Sequence, residues 1–370
     1  MGLTGKLATW FLLAVACNYI IKMFLLMDWN KTVYGHAPGP CRTIKGIEFG
    51  AEDIEVLSDD LVLVTSGLKL KSGAKNEQNY VRGRVFAVTL TKGQENVVPT
   101  AKEIVIKSTT LTKDNFNPHG ISSYTTPNGI VHVYIINHMS NGTEAVECFT
   151  FRRKENTLIH LKSITDRMIY NPNNLAAVGP ERFYLTNDNY FKHFLMQQVE
   201  LVSMASLGSV IYYDGKKGRL VDQWLQAPNG IAVNKNHTSL YVALPLQEVI
   251  RVYKIMPDDT IMKVSDMSLM SSPDNLWYEA GVDEIWAGCH PVAHQILKHL
   301  RRPKSATSPS QVLRVRPGEQ HLSWTVTEPY SDDGKELSGS SAAVYVNENL
   351  LIGTIHHKLM WCPVPDRDLL

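Results

Sequence analysis

The chain carries almost no net charge: 37 lysines and arginines face 36 aspartates and glutamates over 370 residues. That balance argues against a nucleic-acid partner. Low-complexity tracts are absent, so the length is available for one large packed unit. There is no G-x-S-x-G elbow and no H-E-x-x-H pair, which removes the signatures of two large hydrolase groups. Basic residues cluster once, at Lys298, Arg301, Arg302 and Lys304, where Pro303 and a Ser/Thr-rich stretch predict a solvated loop. Cysteine is scarce, with five in all. Cys148 and Cys289 fall in strand-like segments and are expected to be buried thiols. Cys17 lies in an apolar run, and Cys41 and Cys362 stand near the two ends of the rest.

That apolar run is the long one at the N-terminus. It extends from Leu7 to Ile21, is interrupted by Lys22 and resumes from Met23 to Met27, with Lys6 ahead of it. A membrane span needs about 20 residues, which a snorkelling Lys22 would allow. Ala14-Val15-Ala16 resembles a signal-peptidase site, so cleavage and secretion form the alternative. The expectation is a retained anchor with its flank over residues 1–29 and a folded domain over 30–370. Either way, residues beyond 30 lie in the secretory lumen or outside the cell. Asn30, Asn141 and Asn236 each begin an Asn-x-Thr glycosylation triplet on that side.

What the chain has in abundance is one short motif. NPHGI at 117–121 returns as NPNNL at 171–175, APNGI at 227–231 and SPDNL at 272–276. The prolines are spaced by 54, 56 and 45 residues, and strand-like runs follow each motif. GAEDI at 50–54 and SGSSA at 338–342 are weaker members of the series. A period near 40–50 with several short strands per unit predicts a β-propeller, here with six blades. The motif should precede each inner strand and present its third residue to the central channel. Those residues are Glu52, His119, Asn173, Asn229, Asp274 and Ser340. Pro-Asn-Gly is also ordinary turn chemistry. A ring of Glu, Asn, Asn and Asp at blade period nevertheless points to a cation, and hard oxygen donors point to calcium rather than zinc. Asn275 could add a further oxygen.

GIEFGAED at 46–53, FNPHGIS at 116–122, INH at 136–138, AVGPERFYLTND at 177–188, WAGCHP at 286–291 and LIGTIHHK at 351–358 closely resemble the paraoxonase/arylesterase family. The resemblance runs from about Cys41 to Cys362. It implies an all-β, six-bladed propeller with two calcium ions, a retained N-terminal segment, and hydrolysis of lactones and aryl esters. It also implies one bridge between Cys41 and Cys362, which would constrain the unfolded chain over a long loop. Position by position, Glu52, Asn173, Asn229, Asp274 and Asn275 would hold a catalytic calcium. Asp53, the Ile121 carbonyl and Asn174 would hold a structural one, although the family usually has Asp where Asn174 stands. His119 and His138 match the family's histidine pair, and His290 and Asp188 fall in its pocket. Family aromatics are missing near Leu70 and at Ala227.

On this reading a calcium polarises the substrate carbonyl, His119 is the general base and His138 passes the proton on. Asp274 as the attacking or base carboxylate is the other possibility. From Tyr190 to Leu207 apolar residues recur at helical spacing and predict a helical lid, packed over the tunnel mouth or resting on a bilayer. A second function class is also implied. A nematode branch of the family has an N-terminal anchor and assists assembly of ion-channel subunits in the endoplasmic reticulum. Asn174 and the missing aromatics favour such a non-catalytic role with membrane-protein clients. The intact ring and both histidines favour the hydrolase of a small ester or lactone.

Overall fold

The computed structural model describes residues 2–70, 82–93 and 95–370. Its first element is α1, Leu3–Leu26, a helix of 24 residues with no buried side chain. It starts ahead of the apolar run and passes through Lys22 unbroken. At 1.5 Å per residue its length is about 36 Å, against roughly 30 Å of bilayer hydrocarbon. Among the described residues it is the one helix long and apolar enough to cross a membrane.

Beyond α1 the chain forms six sheets, each a blade of a propeller. The inner strands are Ile54–Ser58, Pro118–Thr125, Pro172–Gly179, Ile231–Val233, Ser272–Glu279 and Ser340–Val346. Each blade lies between two others, so its middle strands are covered on both faces and lose the alternation of a half-exposed sheet. Leu61–Ser66 and Ser239–Leu244 are buried at every position. The outer strand Ile261–Ser268 is exposed or half-buried except at Met267. Six apolar clusters fill the six contacts between blades. In one of them Val344 and Trp361 of the last blade pack with Ile54 and Val64 of the first, which closes the ring.

Two further devices seal that closure. Arg42–Thr43 pairs with Met360–Pro363 as the outermost strand of the last blade. Beside it Cys41 and Cys362 form a disulfide. Cys148 and Cys289 are buried free thiols, as expected, and Cys17 is exposed. On the fifth blade Glu284, fully buried, accepts from Arg314, Arg316 and the C-terminal Arg367.

Two features differ from the sequence expectation. In the second, third, fifth and sixth blades the repeated motif is part of the inner strand, whereas in the first and fourth it precedes the strand as expected. The register slips between Pro118 and Ile121, Pro172 and Leu175, Pro273 and Leu276, and Ser340 and Ala342. Such bulges set two successive residues against one partner and re-aim their side chains. The basic cluster is not a loop: Lys298 and Arg301 belong to a helix, Ala293–Arg301. Its Ile296 and Leu300 pack on Leu68, Leu70 and Ile355, and that apolar face outweighs the charged one. We name the lid helix Phe194–Val202 α2 and Ala293–Arg301 α3. The stripe of α2 faces outward, with Leu195, Val199 and Val202 exposed, while its buried residue is Glu200.

Burial opposes the charge on Glu284, yet the three guanidiniums outweigh it and hold the carboxyl down at about 2. A depressed carboxyl stabilises the fold above its unfolded value and loses that contribution as pH falls through the folded one. Glu284→Gln should cost about 3 kcal/mol near neutrality, by leaving buried Arg314 without its counter-charge. The gap in melting temperature from the parent should close as pH falls from about 4.5 towards 2. A pH-independent gap would show that the cluster acts through packing alone.

Candidate functional site

At the channel end where the bulges lie, neighbouring residues from alternate blades meet. The first, third and fifth blades supply pairs: Glu52 with Asp53, Asn173 with Asn174, and Asp274 with Asn275. All six side chains are buried. The second and fourth blades supply His119 followed by Gly120 and Asn229 followed by Gly230. Those glycines make room for the pairs. A Cβ on Gly120 would lie 2.5 Å from Asn174 Oδ1, and one on Gly230 would lie 2.3 Å from the Asp274 carbonyl oxygen. In the third and fifth blades the bulge explains why adjacent residues both reach the axis, in the first the pair lies just ahead of the strand, and glycine explains how the strands come close enough.

The contacts within this ring divide it in two. Asp53 Oδ1 accepts from Ile54 N at 2.9 Å, and its Oδ2 accepts from Ile121 N at 2.9 Å and Asn174 Nδ2 at 3.1 Å. Asn174 Nδ2 also donates to Asn275 Oδ1 at 2.7 Å, while Asn174 Oδ1 accepts from Leu175 N. Asn275 Nδ2 in turn donates to Glu52 Oε1 at 2.9 Å. This inner set satisfies itself. The outer set does not: Glu52 Oε2, Asn173 Oδ1 and Asn229 Oδ1 are buried and have no hydrogen-bond donor. Buried acceptors without partners are rare and costly. Three of them come from three different blades, and oxygens of this hard type are what calcium prefers. Among the described residues no three His, Cys, Asp or Glu side chains group as a metal centre.

The electrostatics agree. Asp53 is pushed up to about 7 by burial and then by the charge of Glu52. Burial likewise raises the carboxyls of Asp274 and Asp188. Asp274 Oδ2 accepts from His290 Nε2 at 2.9 Å, which partly offsets that cost. Burial would lower His119, but Glu52 beside it, then Asp188 and Asp274, raise it to about 9. His119 Nε2 lies 3.3 Å from Glu52 Oε1. Its Nδ1 meets His138 Nε2 at 2.9 Å.

Above the ring opens a cavity of about 430 Å³, lined by His119, His138, Asp188, Phe116, Phe194 and Leu300 among others. Asp188 accepts from Asn173 Nδ2 at 3.5 Å and from Asn189 Nδ2 at 2.7 Å. Leu70 lines the same cavity. Both α2 and α3 form part of its rim. Glu200 of α2 accepts from the backbone of Tyr190 and Phe191 and so secures the segment after Asp188. Sequence reasoning had missed α3 and Glu144, whose Oε2 lies 2.5 Å from His138 Nδ1. The signal for α3 was there, as Ile296, Leu297 and Leu300 at helical spacing. Asn30, Asn141 and Asn236 are all exposed.

The arylesterase family model matches residues 34–364, the whole propeller. The chain belongs to the arylesterase family. It is 33% identical to mouse serum paraoxonase/arylesterase 1 over 87% of its length and 88% of that protein. It is 34% identical to chicken serum paraoxonase/arylesterase 2, over 94% and 96%. Mechanosensory abnormality protein 6 of Caenorhabditis elegans is 32% identical over 97% of the chain and 95% of that relative. A luciferin-regenerating enzyme shares the fold alone, with a TM-score of 0.52 at 8% identity over 87% of this chain and 94% of that one. Arylesterase kinship makes ester or lactone chemistry on a small molecule the coarse expectation for this site.

The close strand approach gives a direct test. Gly230→Ala should lower stability by about 1–3 kcal/mol, because backbone rather than a movable side chain fills the space. Gly281, with nothing within 4 Å of its missing Cβ, is the control, and Gly281→Ala should leave melting unchanged. Equal melting of the two variants would refute the packing account.

Proposed function

We propose that this arylesterase-family protein is a calcium-dependent hydrolase of aryl esters and lactones, held by α1 in a membrane of the secretory pathway with its propeller lumenal. The supporting observation is the set of three buried oxygens, on Glu52, Asn173 and Asn229, that lack any donor. With Asp274 they fit calcium, whose preference is for several hard oxygens in flexible geometry. When bound there, the ion would supply positive charge to a substrate carbonyl as an oxyanion develops on it. Asn275 belongs to this set by position, although its oxygen already accepts from Asn174.

The inner set of Asp53, Ile121 and Asn174 supports a second ion poorly. The Asn174 amide donates to Asp53, doing by hydrogen bonding what a cation would do by charge. We therefore assign one ion to this chain. His119 Nε2 faces Glu52 and takes a proton from an attacking water, and Nδ1 hands one to His138 Nε2. Phe116, Phe194, Leu70 and Leu300 exclude bulk water from an acyl or aryl group. His290 holds Asp274 in place.

Two contacts support retention of α1. Tyr19 Oη donates to the Val202 carbonyl at 2.6 Å, and Asp28 Oδ2 accepts from Ala293 N at 2.9 Å. The outward stripe of α2 would then rest on the same bilayer. The second reading, a non-catalytic role in assembling membrane proteins, is supported by the match to mechanosensory abnormality protein 6, which spans α1 as well as the propeller.

The test uses full-length protein in detergent against a panel of aryl esters and lactones, with calcium or with chelator. Hydrolysis and a raised melting temperature should both require calcium. Asp274→Ala should abolish both effects. His119→Ala should lower hydrolysis by about 10²-fold or more and leave the calcium-induced rise in melting intact. Hydrolysis indifferent to chelation would overturn the calcium assignment. Calcium stabilisation with background hydrolysis throughout would favour the non-catalytic reading.

A further inference from the structure

The second and third strands of blade two, Val131–His138 and Glu144–Arg152, are joined by a short turn. His138 and Glu144 close that turn as a directly opposed pair. Four groups then line up in one chain of contacts. Glu144 Oε2 lies 2.5 Å from His138 Nδ1, His138 Nε2 lies 2.9 Å from His119 Nδ1, and His119 Nε2 lies 3.3 Å from Glu52 Oε1. The Glu144 side chain is 1% exposed and that of His138 16%.

We propose that Glu144 is a positioning residue that fixes which nitrogen of His138, and through it of His119, carries the proton. This rests on the reading of His119 as general base.

The argument follows donors and acceptors along the chain. An ionised carboxylate only accepts, so His138 must carry its proton on Nδ1. Its Nε2 is then an acceptor and takes the proton of His119 Nδ1. Glu52 Oε1 by itself favours a proton on His119 Nε2 as well; with the Glu52 charge taken up by a cation, a neutral His119 would present a bare Nε2 on the side of the unpartnered oxygens, where a base is needed. Without Glu144, His138 can adopt the other tautomer and donate through Nε2 to His119 Nδ1. The His119 proton then sits on Nε2, and the ring faces Glu52 as a donor, unable to accept from water. A buried carboxylate that sets an imidazole tautomer is a recurring device in hydrolases. Here it would act through two rings in series. The part of Glu144 is orientation.

The test joins two readouts on full-length protein in detergent with calcium. Histidine-selective ¹⁵N spectra report tautomers directly. His138 should be protonated on Nδ1 in the parent and lose that preference in Glu144→Ala. Hydrolysis of the best ester or lactone should fall about 10–100-fold in kcat for Glu144→Ala, with KM changed less than about twofold. Glu144→Gln keeps an oxygen acceptor for Nδ1, so it should retain the tautomer and most of kcat. It also covers the case in which the alanine variant folds poorly. A parent His138 protonated on Nε2, or an unchanged kcat in a folded Glu144→Ala, would overturn the proposal. Should the parent hydrolyse nothing, the proposed function fails, while the spectra still decide whether Glu144 sets the tautomer.

Discussion

The protein buries several carboxylates, and how each one is compensated organises the structure. Glu284 receives three guanidiniums, and its carboxyl is pulled down to about 2. Glu52, Asp53 and Asp274 receive no lysine or arginine among the described residues, and imidazoles alone stand in as bases with charge to offer. Two opposite solutions in one fold carry a meaning. Glu284 ties the C-terminus to the fifth blade, where permanent pairing serves stability. The tunnel carboxylates stay under-compensated, which is costly unless something else supplies positive charge. Blade geometry makes that cost bearable, because six apolar interfaces fix the ring from outside and no single strand can relax away.

Much of this was legible in the sequence. The proline spacing gave the blade count, since a period is a global property that survives local ambiguity. Glu52, His119, Asn173, Asn229 and Asp274 were singled out because their position within a repeat, rather than their type, marked them. The pairing of Cys41 with Cys362, implied by resemblance, is present. The N-terminal apolar helix was legible from hydropathy, although α1 begins earlier than the apolar run does.

Other features were not legible, for physical reasons. The bulges came out as turns, because a proline followed by short polar residues suits a ladder that pauses as well as one that ends. The donor role of Asn174 cannot be read from an amide, which offers an oxygen and a nitrogen equally until neighbours choose between them. Glu144 lies outside the repeated motif and meets His138 only because the hairpin register opposes them. For α3, charge at one end masked a three-residue apolar face, and only the packing on Leu68 and Ile355 shows which face prevails.

The N-terminal helix and the cavity share elements, and this constrains how the molecule is to be understood. Asp28, 1% exposed, accepts from the first backbone N–H of α3, and His294 bonds back to the Met27 carbonyl. Lys31 continues the junction through Asp28, Glu248 and the Met270 carbonyl. Tyr19 holds the last turn of α2. Both helices on the cavity rim are therefore fastened to residues at or just after α1. A chain cut before residue 30 would leave the start of α3 without its carboxylate cap, an anion at a helix N-terminus being worth about 0.3–1 kcal/mol. It would also free the end of α2 from Tyr19. The propeller core would survive such a cut, since its six interfaces lie elsewhere. The rim would not keep its order, and with it would go the enclosure of His119 and His138 from water. The N-terminal segment is in this sense part of the cavity wall.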